Sequence, residues 1–170
     1  MKRNSSKTAL RNAFLALLTR KPYLDISVSD LVREAGIARA SFYRNYDSLD
    51  EVLLDSIDLF FNTLFSKWVP FFQQGDEAKI KAGLAAFLDR LKEPSSPYRK
   101  ILPENRALIS VRLGQLVSSR KEFQAGTVKD HYDLYVMAYT FIAAASYWMS
   151  NGCKEESSYV AEYLYEKLHR

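Results

Sequence analysis

Apolar residues recur at helical spacing along almost the whole chain, and no alternating strand pattern persists long enough to compete. Leu10, Phe14, Leu17 and Leu18 fall on one face of a first helix, from about Ser6 to Arg20. Pro22 stops it, because proline cannot continue the hydrogen-bond ladder. After the short connector Tyr23–Ile26, Ser27 is an N-cap with Asp30 three residues on, near the positive end of the helix dipole. Val28, Leu31, Val32 and Ala35 form the inner face of a two-turn second helix. Gly36 stands where a left-handed C-cap is needed. A third helix, roughly Arg39 to Asn45, turns Phe42 inward.

Ser48-Leu49-Asp50-Glu51 has the pattern of a capping box and opens a long fourth helix. Its apolar stripe runs through Leu49, Val52, Leu53, Ile57, Phe60, Phe61 and Leu64 to about Phe65, with Pro70 and Gly75-Asp76 closing the region. Further helices are expected over Glu77–Lys92, Tyr98–Leu102, Glu104–Ser119, Val128–Ser150 and Ser158–Leu168. The fold class expected is all-α, with residues 1–47 as one domain and 48–170 as a second, helical one.

Composition narrows the classes of function. At 170 residues, 48% hydrophobic and 26% charged, the chain has the makings of an ordinary packed core. No apolar run approaches the roughly 20 residues that span a bilayer, and no leader pattern follows the basic first residues, so the address expected is cytoplasmic. One cysteine, Cys153, excludes an internal disulfide, and two distant histidines offer no zinc spacing. No paired carboxylates, Ser-His-Asp set or phosphate-cradling glycine loop is present, so neither catalytic residues nor a metal or cofactor is expected, and the chain reads as not an enzyme.

The net charge of +4 is unevenly placed. Residues 1–46 hold nine basic side chains against three acidic ones, +6 in all, and leave −2 for the remaining 124. A basic end on a nearly neutral body is the footprint of a polyanion-binding module. Two short helices about a glycine turn give it a shape. The second helix clamps the third, Ile37 tucks beneath the turn, and Arg39, Ser41 and Tyr43 to Tyr46 are left for a DNA major groove.

The string from Ile26 to Tyr46, ISVSDLVREAGIARASFYRNY, resembles the DNA-binding signature of the TetR/AcrR family, and the resemblance covers about residues 5–65. It implies a sequence-specific, ligand-responsive repressor that acts as a homodimer on a palindromic site in double-stranded DNA. The alternative is a regulator of the same type controlled by, or activating through, a protein partner. Ser27 and Ser29 then correspond to phosphate contacts, Arg39, Ala40, Ser41, Arg44 and Asn45 to recognition positions, and Tyr43 and Tyr46 to phosphate-contacting aromatics. Two departures stand out: Ala38 replaces the usual hydroxyl N-cap, and Leu49 replaces a lysine. Arg44 and the arm of Lys2, Arg3 and Lys7 compensate for the phosphate contact so lost. In such a protein the body holds an effector pocket and a dimer interface. Phe61, Phe65, Trp68, Phe87, Tyr98 and Tyr139 are the candidate lining for a small apolar or aromatic effector. Val136, Tyr139, Ala143, Tyr147, Val160, Tyr163 and Leu164 on the last two helices are the candidate interface.

Overall fold

Proline and glycine punctuation divides the chain into helices that a computed structural model places over residues 2–120 and 128–168. The side chains of residues 2–4, 64–74, 100, 128–131, 134 and 168 lie outside the described residues, as do residues 1, 121–127 and 169–170 altogether. The helices are α1 (Lys2–Arg20), α2 (Val28–Ala35), α3 (Arg39–Tyr43), α4 (Leu49–Gln74), α5 (Glu77–Lys92), α6 (Tyr98–Glu104), α7 (Arg106–Ser119), α8 (Val128–Ser150) and α9 (Ser157–Leu168). A single 3₁₀ turn, Tyr23–Asp25, joins α1 to α2. The described residues contain no strand, and the protein is all-α with an N-terminal helix-turn-helix and a C-terminal helical part.

Two compact units divide at Leu59/Phe60, inside α4. The sequence reading divides the chain at 47/48, where the long helix that links the two parts begins, and the start of that helix is tied to the first unit. Asp50 accepts a hydrogen bond from Tyr23, and Asp55 accepts from Arg11 and Tyr46.

In the first unit, the expected face of α1 is buried: Leu10, Phe14 and Leu18 are fully inaccessible. Tyr23 packs edge-on against Phe14, with ring centroids 6.0 Å apart. Of the α2 residues expected inside, only Leu31 is fully buried; Val28, Val32 and Ala35 are half-covered. Gly36 ends α2 at φ 65°, ψ 31°, and the amides of Gly36 and Ile37 donate to the carbonyls of Arg33 (3.2 Å) and Val32 (3.1 Å). This double closure needs the left-handed conformation that a side chain disfavours. It brings the chain straight into α3, whose Phe42 is fully buried.

In the second unit, α5 buries Ile80, Leu84, Phe87, Leu88 and Leu91 and packs on α9, which returns Val160, Ala161 and Leu164. α7 and α8 form the other close pair. Gly114 of α7 makes that approach possible: a Cβ there would lie 2.6 Å from the Tyr135 ring. Ser146 Oγ donates to the carbonyl of Leu102 (3.2 Å), and Trp148 Nε1 to that of Glu155 (3.1 Å), so the buried polar groups of α8 are satisfied.

Two prolines act differently from the sequence expectation. α4 continues through Pro70 to Gln74, and α6 through Pro103 to Glu104. Proline removes one ladder bond, but its fixed φ is compatible with a helix, and the breaks come instead at Gly75 and Asn105.

Two leucines in the first unit give a direct check on the packing. Leu31 is fully buried and Leu24 is 89% exposed. Leu31→Ala is expected to destabilise the protein by about 2–5 kcal/mol. Leu24→Ala should change stability by no more than about 0.5 kcal/mol. Urea denaturation of both variants measures the contrast.

Candidate nucleic-acid interface

Short helices need their ends satisfied, and this decides what the hydroxyls at the start of α2 can do. Ser27 Oγ accepts from the Asp30 amide (3.1 Å) and donates to Asp30 Oδ2 (2.7 Å), while the Ser27 amide donates to the same oxygen (3.0 Å). A complete capping box results, which the sequence reading placed only at Ser48. Both Ser27 donors are thus engaged with Asp30, and Ser27 caps α2. At Ser48 the arrangement is shifted by one residue: Ser48 Oγ accepts from the Glu51 amide (3.3 Å), but the Glu51 carboxylate accepts from the Asp47 amide (2.7 Å). Lys21 and Arg33 also bind the Asp30 carboxylate, each at 2.7 Å. The hydrogen bonds from Lys21 and then Ser27 hold that carboxyl well below the usual range.

The exposed face beyond the cap is built around Arg39. Its Nη1 donates to Ser29 Oγ (3.0 Å) and its Nη2 to the Tyr43 hydroxyl (3.1 Å), and the guanidinium lies 5.6 Å from the Tyr43 ring centroid. One cation therefore links α2 to α3 on the outside of the turn. Ala40, Tyr43 and Arg44 are exposed beside it, and Arg44 Nη2 donates to Ser41 Oγ (2.6 Å). Ala38 supplies no side-chain cap to α3, as the sequence indicates. Ser29, Arg39, Ala40, Ser41, Tyr43 and Arg44 are brought together, with two guanidinium groups and no acid among them.

Two expected contacts lie elsewhere. Asn45 is half-covered, and its Nδ2 donates to the Ser41 carbonyl (2.6 Å), closing the end of α3 instead of reaching outward. Tyr46 is 4% exposed, because its ring packs with Phe42 at 6.2 Å and its hydroxyl donates to Asp55 Oδ2 (2.7 Å). It is a core residue with a polar handle, its hydroxyl turned to Asp55. Lys7 is also engaged, paired with Asp55 Oδ1 at 2.9 Å and 5.4 Å from the Tyr46 ring centroid. The side chains of Lys2 and Arg3 lie outside the described residues.

Asp55 and Arg11 form a charged cluster in the first unit that the sequence reading did not single out. Asp55 accepts from Lys7, Arg11 (3.0 Å) and Tyr46. Arg11 and Asp55 are 44 positions apart, so no local pattern signals the pairing. Partial burial of the Asp55 carboxyl opposes its ionisation, but the hydrogen bonds from Lys7, Tyr46 and Arg11 outweigh that, and its pKa is lowered. Burial, and then the bond to Asp55, push the Tyr46 phenol up.

In the second unit, Phe60 stacks on Tyr98 (centroids 4.0 Å apart) and meets Phe87 at 5.2 Å, with Phe141 behind Phe87 at 5.3 Å. A cleft of about 250 Å³ opens beside this cluster, lined by Phe60, Arg90, Glu93, Ser95, Ser96, Pro97 and Tyr98. Of the four expected pocket residues whose side chains are described, Phe61, Phe87, Tyr98 and Tyr139, only Tyr98 borders this cleft. Phe61 and Phe87 are buried core, Tyr139 is 41% exposed and stacks on Tyr135, and the Phe65 and Trp68 side chains lie outside the described residues. Burial pushes the Tyr98 phenol up to about 12. Phe60 was missed because it neighbours Phe61 on a stripe where either could face inward.

The residues expected at a dimer interface also separate. Val136, Tyr139, Ala143, Tyr147 and Tyr163 are exposed, joined by Tyr132 and Tyr159. Val160 (8% exposed) and Leu164 (0%) are not available, because the face of α9 that carries them is spent against α5 within the same chain.

Acid titration tests the two carboxylates of the first unit. A carboxylate whose folded pKa is depressed stabilises the fold above its unfolded pKa, about 3.9, and that contribution is lost as pH falls through the folded value. Thermal stability should therefore fall as pH is lowered below about 4. Asp55→Asn should be less stable than the parent at neutral pH and show a shallower decline in acid; melting temperatures of both proteins across the range check this.

With that geometry in view, residues 5–55 match the sequence profile described as Bacterial regulatory proteins, tetR family. An HTH-type transcriptional regulator of Haemophilus influenzae is 35% identical over 57 residues, which are 34% of this chain and 28% of that protein. The chain matches only about a quarter of the length of the relatives found by sequence. Among solved structures, the fold is similar to a TetR transcriptional regulator from Streptococcus agalactiae, with TM-score 0.65 and 21% identity over 99% of this chain and 96% of that one. It is also similar to the dihydroxyacetone kinase operon activator DhaS, with TM-score 0.60 and 17% identity over 96% and 94% of the two chains. Residues 5–55 thus carry the helix-turn-helix sequence of the tetR family of bacterial regulatory proteins, and the fold of the chain is similar to that of solved TetR regulators.

Proposed function

We propose that the chain binds double-stranded DNA in a sequence-specific manner as a homodimer and acts as a ligand-responsive repressor. The observation that carries the reading is the Arg39 guanidinium, held on the exposed α2–α3 face by Ser29 and Tyr43. An arginine fork presented at the start of a recognition helix can engage a guanine edge or a backbone phosphate with two parallel hydrogen bonds. The +6 charge of residues 1–46 supplies the long-range attraction. Selection of sites from a random duplex pool, followed by titration at moderate salt, tests the proposal; no preference for any sequence over random duplex would sink it. Arg39→Ala is expected to weaken the selected site by about 1–3 kcal/mol, measured by fluorescence anisotropy.

Homodimerisation is supported by the exposed apolar and aromatic side chains of α8 and α9: Tyr132, Val136, Tyr139, Tyr147, Tyr159 and Tyr163. So many large exposed side chains on two helices mark an association surface. A two-fold dimer would read half-sites about one helical turn apart, or a multiple of it, on a palindromic operator. Val136→Glu, at a position 60% exposed, should yield a monomer with an intact helical spectrum and weakened operator binding. Sedimentation velocity and circular dichroism on the same sample check both halves of that expectation.

The effector is read as small and apolar or aromatic. In support, the Phe60, Phe87, Tyr98 and Phe141 rings gather in the second unit beside a cleft. α4 is shared by the two units, which makes it the element through which an effector would act. A second reading, a regulator that activates through a partner protein, has in its favour that DhaS, an operon activator, has a similar fold. Titration with apolar ligands, followed by Trp148 fluorescence and operator affinity, separates the two. A saturable change that releases DNA favours the effector; a stable hetero-complex with no ligand response favours the partner.

A further inference from the structure

The geometry points to Asp55 as the positioning residue of the DNA-reading helix, an inference that rests on the reading of the α2–α3 face as the DNA interface. α3 has five residues and no side-chain N-cap, so its orientation must come from anchors outside itself. Phe42 is one anchor, but apolar packing is non-directional: it holds the helix to the core without fixing its rotation. Tyr46 is the other. Its amide donates to the Phe42 carbonyl (2.9 Å), which makes it continuous with the last turn of α3, and its hydroxyl is aimed at a single oxygen of Asp55 (2.7 Å). A charge-assisted hydrogen bond of that length is directional and strong.

Asp55 is itself held from the opposite side. Lys7 and Arg11 of α1 bind its two oxygens, at 2.9 Å and 3.0 Å, and Lys7 also lies against the Tyr46 ring. One carboxylate thus joins α1, the end of α3 and the start of α4. The arrangement has a second consequence for DNA. A lysine, an arginine and a phenol are the donors that ordinarily bind phosphate, and here all three converge on one part-buried carboxylate. Asp55 keeps Lys7 and Arg11 from gripping any duplex indiscriminately, and in doing so leaves recognition to the exposed Arg39 and Arg44 side chains of the oriented helix and its end.

The test compares the full chain with Tyr46→Phe and Asp55→Asn, using a selected operator and a random duplex of equal length over a range of salt. Melting temperatures are recorded alongside. Tyr46→Phe keeps the ring and both cations on Asp55. It should lower the preference for operator over random duplex on the order of tenfold, with the salt dependence unchanged. Asp55→Asn frees two cations as well, so it should lower the preference further, raise random-duplex affinity and steepen the salt slope by about one to two counterions. Folded variants that melt lower but keep the parent's preference and salt slope would make Asp55 a purely structural ion pair and overturn the inference. If Asp55→Asn does not fold, Tyr46→Phe decides alone, by its operator preference. If the parent chain prefers no sequence, the reading of the interface itself fails, and this inference with it.

Discussion

A five-residue helix cannot hold itself together, and the exposed α2–α3 face depends on how α3 borrows its stability. Forming the first turn of a helix costs more than one hydrogen bond returns, so α3 persists only through what surrounds it. Gly36 delivers the chain into it at a sharp angle, Phe42 sinks into the core between α1 and α2, and Asn45 and Tyr46 close its far end. The same economy explains Ser27, whose donors complete the α2 cap.

Polar side chains with one plausible role at the surface turn out to be divided between two. Arg39, Tyr43 and Arg44 remain outside, cross-braced by hydroxyls, which lowers the freedom they would lose on meeting a partner. Lys7, Arg11 and Tyr46 turn inward to Asp55. Charge counting along the chain cannot make that division, because an ion pair and an exposed cation contribute the same residue to the composition.

The second unit shows a comparable division among apolar residues. Helical spacing identifies which residues share a face, but not which neighbouring helix covers it. On α9, Val160 and Leu164 are consumed by α5, while Tyr159 and Tyr163, one residue before each of them, stay exposed. On α4, Phe60 rather than Phe61 meets Tyr98 at the cleft. Gly114, which in a helix interior costs helix stability, is explained by the Tyr135 ring that fills the space of its missing side chain.

The sequence by itself determined the all-α class, most helix limits to within a few residues, the left-handed stop at Gly36, the inward Phe42 and the likeness of residues 26–46 to a DNA-binding signature. These are properties of spacing, capping and backbone conformation, which operate over a few residues and can be read locally. The tertiary structure alone decided which of the longer-range donors turn inward: the Tyr46 hydroxyl is spent on Asp55, which also collects groups from α1 across as many as 48 positions of chain. Burial and long-range pairing depend on which surfaces the folded helices bring together, and no local pattern carries that information.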